Sequence, residues 1–392
     1  MFYLNNIYIF LHNNNGDYME LIKKNKIIFT FIIIFGIISF LSIYSASIYI
    51  TDEQGKLYFK QILWYVVGIF LILFVNKIKL STIYKYSFFI YMFGVILLIG
   101  LFFTDEINGS HAWYNTFGII SIQPSEFMKI FIIIFLSSLI YKFFNKEKKI
   151  STKKELKLIF LCFITVLLPS ILTFLEPDTG SVIIYFVIFF SMLYISGINK
   201  KWFIFFLSFM LVLLTIFLLF YFFKQDLFVD IFGSSFFYRM DRIINFYNGS
   251  GMQLNNSLIS IASGGITGHG FNNTPIYFPE AGTDFIFSVF TSNFGLLGSV
   301  GLISLLLSFN LYLIKISFNI TSLKDKYTMV GIVSAFIYQC VQNIGMCIGI
   351  LPITGITLPF ISYGGSSVLS YMLLLGIIIN IKETEEKKKA YK

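Results

Sequence analysis

Apolar residues fall in runs of about 20 separated by short polar breaks, the length an α-helix needs to cross the hydrocarbon of a bilayer. Ten runs are read, at 26–49, 58–76, 84–103, 124–144, 158–176, 179–198, 202–223, 284–316, 327–350 and 364–381. The eighth is long enough to predict a break at Gly295 or Gly298. The alternating segments of a membrane β-barrel are not seen. The pattern predicts an all-α integral membrane protein of about ten transmembrane helices, one domain over 19–382. A 60-residue loop at 224–283 separates the seventh and eighth spans, and 383–392 reads as a charged tail. Residues 1–18 lack a basic n-region and a cleavage site, so they make a poor signal peptide. Met19 opens a more usual lead into a first span, and 1–18 read as an added extension.

Composition agrees. Of 392 residues, 57% are hydrophobic and 12% charged, whereas a soluble domain carries about 25% charged residues. The net charge of +9 does not signal nucleic acid, because 23 of the 29 basic residues fall in terminal or connecting segments on one side of the ten-span pattern. By the preference of basic residues for the cytoplasmic side, both termini are predicted to be cytoplasmic. Cys162, Cys340 and Cys347 lie within apolar runs without metal-ligand spacing, which gives them no metal or disulfide role. The abundance of Lys, Ile, Phe and Asn reads as coding bias.

The opposite side holds the unusual sequence: 104–123, 224–283 and 351–363. The 60-residue loop exceeds what a helix connection needs and contains both arginines of the chain, Arg239 and Arg242. Its apolar content and the run Ser257–Ser263 predict a folded loop rather than a disordered connector.

Polar groups at the rims of spans are expensive and mark function. Gln123-Pro124-Ser125-Glu126-Phe127-Met128-Lys129 opens the fourth span; Pro124 suits a first helical turn. Glu126 and Lys129 share a helix face and read equally as a structural ion pair or a substrate contact. Glu176-Pro177-Asp178-Thr179-Gly180-Ser181 turns between spans five and six, either as a plain polar hairpin or as the acidic wall of a cavity. In Pro279-Glu280-Ala281-Gly282-Thr283-Asp284-Phe285-Ile286-Phe287, Thr283 is the expected N-cap. Asp284 is then a partner of the helix dipole or a general base whose pKa burial raises. Between Asn343 and Ser367, Pro352, Gly355, Pro359, Gly364 and Gly365 break helical structure at membrane depth. Such a break is tolerated only when packed in protein or lining a cavity, and it predicts a re-entrant segment.

These strings resemble the SEDS family (shape, elongation, division and sporulation), which includes RodA, FtsW and SpoVE. The resemblance runs from Tyr44-Ser45-Ala46-Ser47 to Ser366-Ser367 and includes QPSE..K, EPD.G, PE..TDFIF and P.TG..LPF.SYGGSS in order. It implies a peptidoglycan glycosyltransferase that polymerises lipid II at the outer face of the bacterial cytoplasmic membrane, alongside a class B penicillin-binding protein. It further implies Asp284 as the general base for the acceptor hydroxyl, which displaces undecaprenyl diphosphate from the lipid-linked glycan. Glu126, Lys129 and Asp178 match other polar cavity positions of the family, and Trp113 matches the tryptophan of the loop between spans three and four; with Glu280 they are the expected substrate-binding residues. Arg239 and Arg242 match a basic pair, and guanidinium geometry suits a diphosphate. A divalent cation, Mg or Mn, is left open by the resemblance.

Three positions depart from the family pattern. Ala112 stands where an arginine often precedes the tryptophan, with His111 before it as either a substitute or a solvated loop histidine. Ser121 replaces a position that is basic in some relatives, and Ser292-Asn293 replace acidic residues after TDFIF. Asn343-Ile344-Gly345-Met346 leans toward the elongation member RodA, while Tyr44–Ser47 and Pro279–Ala281 lean toward FtsW and SpoVE. The competing readings are a lipid II flippase or other transporter, and a non-catalytic scaffold for a penicillin-binding protein.

Overall fold

The computed structural model describes residues 19–47, 57–105, 111–116, 120–144, 151–232, 251–276 and 279–390. Ten helices occupy the ten expected positions: α1 Lys26–Ala46, α2 Leu57–Lys77, α4 Ser87–Leu101, α5 Pro124–Phe144, α6 Thr152–Leu175, α7 Thr179–Ser196, α8 Lys201–Phe223, α11 Ile286–Phe318, α12 Leu323–Cys347 and α13 Gly365–Ala390. Eight of them are long and apolar enough to cross a membrane. The 15-residue α4 and the apolar α8 complete the set. Among the described residues three shorter helices stand between them: α3 Leu80–Lys85, α9 Gln225–Phe232 and α10 Met252–Ser263.

Several expectations change in detail. The third span starts at Ser87 rather than 84, because α3 precedes it as a separate turn. The segment between α4 and α5 contains an antiparallel hairpin, β1 Tyr114–Thr116 with β2 Ile120–Ile122, pairing Asn115 opposite Ser121. A strand so short carries little periodicity to read. The tail does not leave the bundle as a separate charged segment. α13 continues through it to Ala390, with a Lys382–Glu386 pair along the helix and Lys388 paired with the buried Glu385.

The long loop is folded over its described parts, α9, α10 and the turns that follow. Arg239 and Arg242 lie outside the described residues, as do residues 1–18.

α11 breaks at Gly295, whose φ of 62° and ψ of −163° leave the helical region. The backbone groups freed by the break are taken by the segment after α10: Leu296 N–H donates to Gly265 O at 2.9 Å, and His269 N–H to Ser292 O at 3.0 Å. A β-carbon at Gly295 would sit 2.4 Å from the Gly268 nitrogen, so glycine is required by both conformation and space. The break thereby fastens the long loop to the bundle.

The bundle is packed around the non-helical segment 351–364. α13 packs along α2, and α12 against α7, α5 and α11. At the centre Phe360 stacks on Phe35 at 5.5 Å and meets Phe309, Phe336 and Tyr371 at 5.6, 5.6 and 5.3 Å. Aromatic pairs at such separations add to the burial of their area.

Candidate active site

Non-helical backbone at this depth must find partners for its amide and carbonyl groups, and side chains of three helices supply them. Ser39 of α1 donates to Ile361 O at 2.7 Å, and Gln61 of α2 to Ser362 O at 3.0 Å. Tyr65 donates to Phe360 O. On α12, Gln342 donates to Pro352 O at 2.9 Å and Asn343 to Ile356 O at 2.7 Å. The break both packs in protein and lines a cavity, so the re-entrant reading holds on each count.

The same segment holds the turn before α11. Ser362 Oγ donates to Thr283 O at 2.6 Å, and the Tyr363 N–H to Gly282 O at 2.9 Å. The second N–H of Asn343 goes to the carbonyl of Asp284 at 2.7 Å. Thr283 is not the N-cap: the capping position is Phe285, without a side-chain cap, and Thr283 Oγ1 donates instead to Glu280 at 2.6 Å. Asp284 therefore sits on a turn pinned from three sides. Gly355 comes close to it at φ 71°, where a β-carbon would lie 3.6 Å from Asp284 Oδ2.

Asp284 faces a cavity of about 250 Å³ lined also by Trp113, Gln123, Glu126, Asp178, Glu280 and Gln339. On one wall Asp178 caps α7, accepting the Ser181 N–H at 2.9 Å, and accepts Ser125 Oγ at 2.8 Å and Gln123 Nε2 at 3.1 Å. It is thus both the acidic wall and a structural cap. Glu126 lies in the floor, bound to Lys129 Nζ at 2.5 Å and accepting Ser370 Oγ at 3.1 Å. Lys129 is 1% exposed, lies 4.5 Å from the Tyr371 ring centre and does not line the cavity. Of the two readings of the pair, the structural one describes Lys129, while Glu126 also reaches the cavity.

Burial pushes the Asp284 carboxyl up to about 7, with Glu280 and then Asp178 adding to it. Glu176 is 2% exposed and is pushed up to about 8 by burial and by Asp178. Asp178 is raised by burial, partly offset by its hydrogen bonds from Ser181 and Ser125. One rim therefore gathers three perturbed carboxyls.

His111 is half-buried. Its Nδ1 lies 2.7 Å from Thr104 O, and it does not line the cavity. Ser292 and Asn293 are buried in α11 just before its break. Asn293 donates to Ser45 at 2.6 Å and accepts from Thr274 at 3.0 Å, a structural use of one of the two positions read as departures. Gln339 was not anticipated. It lines the cavity from mid-α12 and donates to Tyr371 at 2.9 Å; the only signal was an amide inside an apolar span.

The profile of the family described as "Cell cycle protein", FtsW/RodA/SpoVE, matches residues 25–387. The chain belongs to this family. The probable peptidoglycan glycosyltransferase FtsW of Wigglesworthia glossinidia brevipalpis is 33% identical over 389 residues, 94% of this chain and 95% of that one. Stage V sporulation protein E of Bacillus subtilis is 29% identical over 378 residues, 88% of this chain and 93% of that one. A chain solved in work described as "Structural coordination of polymerization and crosslinking by a peptidoglycan synthase complex" superposes with a TM-score of 0.74 at 22% identity, covering 91% of this chain and 96% of that one. Thermus thermophilus rod shape determining protein RodA gives 0.63 at 22% identity, covering 91% and 95%. These superpositions carry the fold: an all-α, multi-pass membrane protein of the SEDS type.

Proposed function

We propose that the chain is a peptidoglycan glycosyltransferase that polymerises lipid II at the outer face of the bacterial cytoplasmic membrane, with Asp284 as general base. The carrying observation is the carboxylate of Asp284, pushed up to about 7 and fixed on a pinned turn beside the cavity. A base works best with a pKa near the operating pH. Asp284 takes the proton of the acceptor sugar's 4-hydroxyl as that oxygen attacks the anomeric carbon of the donor. The bond from that carbon to the diphosphate oxygen breaks, and undecaprenyl diphosphate leaves with the bonding pair. The cavity, about 250 Å³, lies just below the usual range of ligand pockets, about 300–1,000 Å³. It suits the reacting sugar, with the lipid chains outside it.

Trp113 offers an apolar face for a sugar ring, and Gln123, Glu126 and Gln339 offer polar groups. Arg239 and Arg242 are assigned to the diphosphate on sequence alone. A divalent cation at this rim would draw on Asp178, Glu280 and Asp284, yet among the described residues no group of three or more His, Cys, Asp or Glu is arranged to hold a metal ion.

Both termini are assigned to the cytoplasm from the basic segments, and a class B penicillin-binding protein is the proposed partner. Named relatives include FtsW and SpoVE proteins, and the folds include RodA. The partner that co-purifies from native membranes decides between division and elongation.

The test uses purified full-length chain, its partner and lipid II, with glycan polymer as readout. Wild type polymerises; Asp284→Ala retains its fold and makes no polymer. Full polymerisation by that variant removes the base assignment. Movement of lipid II across vesicles by wild type without polymerisation supports the flippase reading instead, and inactivity of both proteins the scaffold reading.

A further inference from the structure

On the rim opposite Asp284, an open cavity of about 580 Å³ is bordered by the ends of α2 and α5, by α3, the start of α12 and the tail of α13. Five lysines line it, Lys77, Lys79, Lys324, Lys387 and Lys388. Asp325 stands in the wall and Glu385 lies behind Lys388 at 2.6 Å, while Glu383 and Glu386 line an adjoining cavity with Lys77 and Lys387. Asp325 is 4% exposed and already engaged, accepting the Tyr84 hydroxyl at 2.8 Å and standing 3.9 Å from Lys388.

Lys324 is the unusual member. Among the described residues no carboxylate forms an ion pair with it. Its ammonium lies 4.9 Å from the Tyr84 ring centre and 4.7 Å from that of Tyr141, within cation–π range of both. Two rings thus hold the cation at the cavity wall without neutralising it. The hydroxyls of Ser81, Ser322 and Thr384 line the same space.

The position identifies the anion. α3 forms one edge and leads directly into α4, whose Phe88, Phe89 and Phe93 are 51, 67 and 56% exposed. A membrane helix with such a face meets acyl chains, so the cavity opens at the level of lipid headgroups. Tyrosines and lysines at that level are the usual interfacial anchors, and basic pockets between helix ends accept phosphate headgroups.

We propose that this cavity binds the phosphate headgroup of an anionic membrane phospholipid, with Lys324, held between Tyr84 and Tyr141, as its central contact. The site is independent of the polymerase reading, since it shares no lining residue with the Asp284 cavity.

The test reconstitutes the full chain in phosphatidylcholine bilayers with or without phosphatidylglycerol, then measures by native mass spectrometry the phosphatidylglycerol retained. Lys324→Gln is expected to lower retention by about fivefold, the attraction one lysine near a membrane surface supplies. The rim variant Lys79→Gln/Lys387→Gln lowers it further, and it decides the matter if Lys324→Gln fails to fold. Lys153→Gln/Lys157→Gln removes two exposed charges at the start of α6 on the same face and leaves retention unchanged. Equal loss in that control reduces the effect to diffuse attraction and overturns the site. Equal retention by wild type and the cavity variants does the same. Displacement of the lipid by inorganic phosphate assigns the cavity to a soluble anion and overturns the lipid assignment.

Discussion

The two rims of this bundle handle polar groups in opposite ways. Around Asp284, side chains from α1, α2 and α12 are spent on backbone: Ser39, Gln61, Tyr65, Gln342 and Asn343 each donate to a carbonyl of 351–364. Around Lys324, charge sits on long flexible side chains at helix ends, and the lysine is held by ring faces. The first rim fixes geometry; the second gathers charge. A substitution at the first should therefore change position and chemistry, while one at the second should change an attraction that salt screens.

The largest effect that separates the rims comes from Asp284→Asn, which keeps the shape of the side chain and removes the base. Polymerisation by the purified chain with its partner should fall by about 10²- to 10⁴-fold, the contribution of a general base, with the thermal midpoint preserved. Residual activity near wild type would move the chemistry off this carboxylate. Next comes Glu126→Ala, which leaves Lys129 buried without its partner. Removing one member of a buried pair costs about 3–5 kcal/mol, read as a drop in thermal midpoint and in detergent-stable yield. Lys129→Met added to Glu126→Ala should recover most of that loss. A double variant as unstable as the single one would show that Ser370 and Tyr371, rather than the pairing, set the cost.

The sequence carried more of the first rim than of the second, for a physical reason. Polar groups at membrane depth need partners at fixed places, so Pro124, Asp178, Asp284 and the Gly–Pro run from Pro352 to Gly365 stand out against apolar neighbours. The length of the eighth run made a break at Gly295 or Gly298 legible, and the structure places it at Gly295. Thr283 misled because it precedes a helix by the right spacing, yet a hydroxyl can bond backward, and Glu280 is its partner. Gln339 and the Ser45–Thr274–Asn293 contacts were not legible, since they join segments far apart in the chain. The cavity at Lys324 was hidden differently. Its lysines looked like topology signals, and only folding places Tyr84 and Tyr141 on either side of one of them.

A smaller effect should follow from Asn343→Leu. It removes the two donors that tie Asp284 and Ile356 together; Cys347 Sγ still donates to the Asp284 carbonyl at 3.7 Å, so the main cost is the Ile356 carbonyl left without its partner, about 1–3 kcal/mol. Because Asn343 does not line the cavity, kcat should fall about tenfold while KM for lipid II changes little, as for loss of an interaction expressed in the transition state. Asn343→Gln should not restore it, since the longer side chain displaces both donors. A change confined to KM would place Asn343 in substrate contact instead of positioning.

The mildest test is pH, and it distinguishes chemistry from stability because the two should move in opposite directions. Asp284 must be ionised to accept a proton, and its carboxyl is pushed up to about 7. Activity should therefore rise as pH increases through 7 and fall about tenfold per unit well below it. Stability runs the other way. A carboxyl whose folded pKa lies above its unfolded one binds more protons when folded, so its stabilisation is full below about 4 and is lost as pH rises through 7. Glu176, pushed up to about 8, extends that loss by roughly one unit. Glu280→Gln sharpens the assignment. Glu280 is the largest charge contribution holding Asp284 up, and glutamine keeps an acceptor for Thr283. The acid limb of the activity profile should move to lower pH in that variant. An acid limb that does not move, with activity otherwise intact, would mean that another group carries the proton.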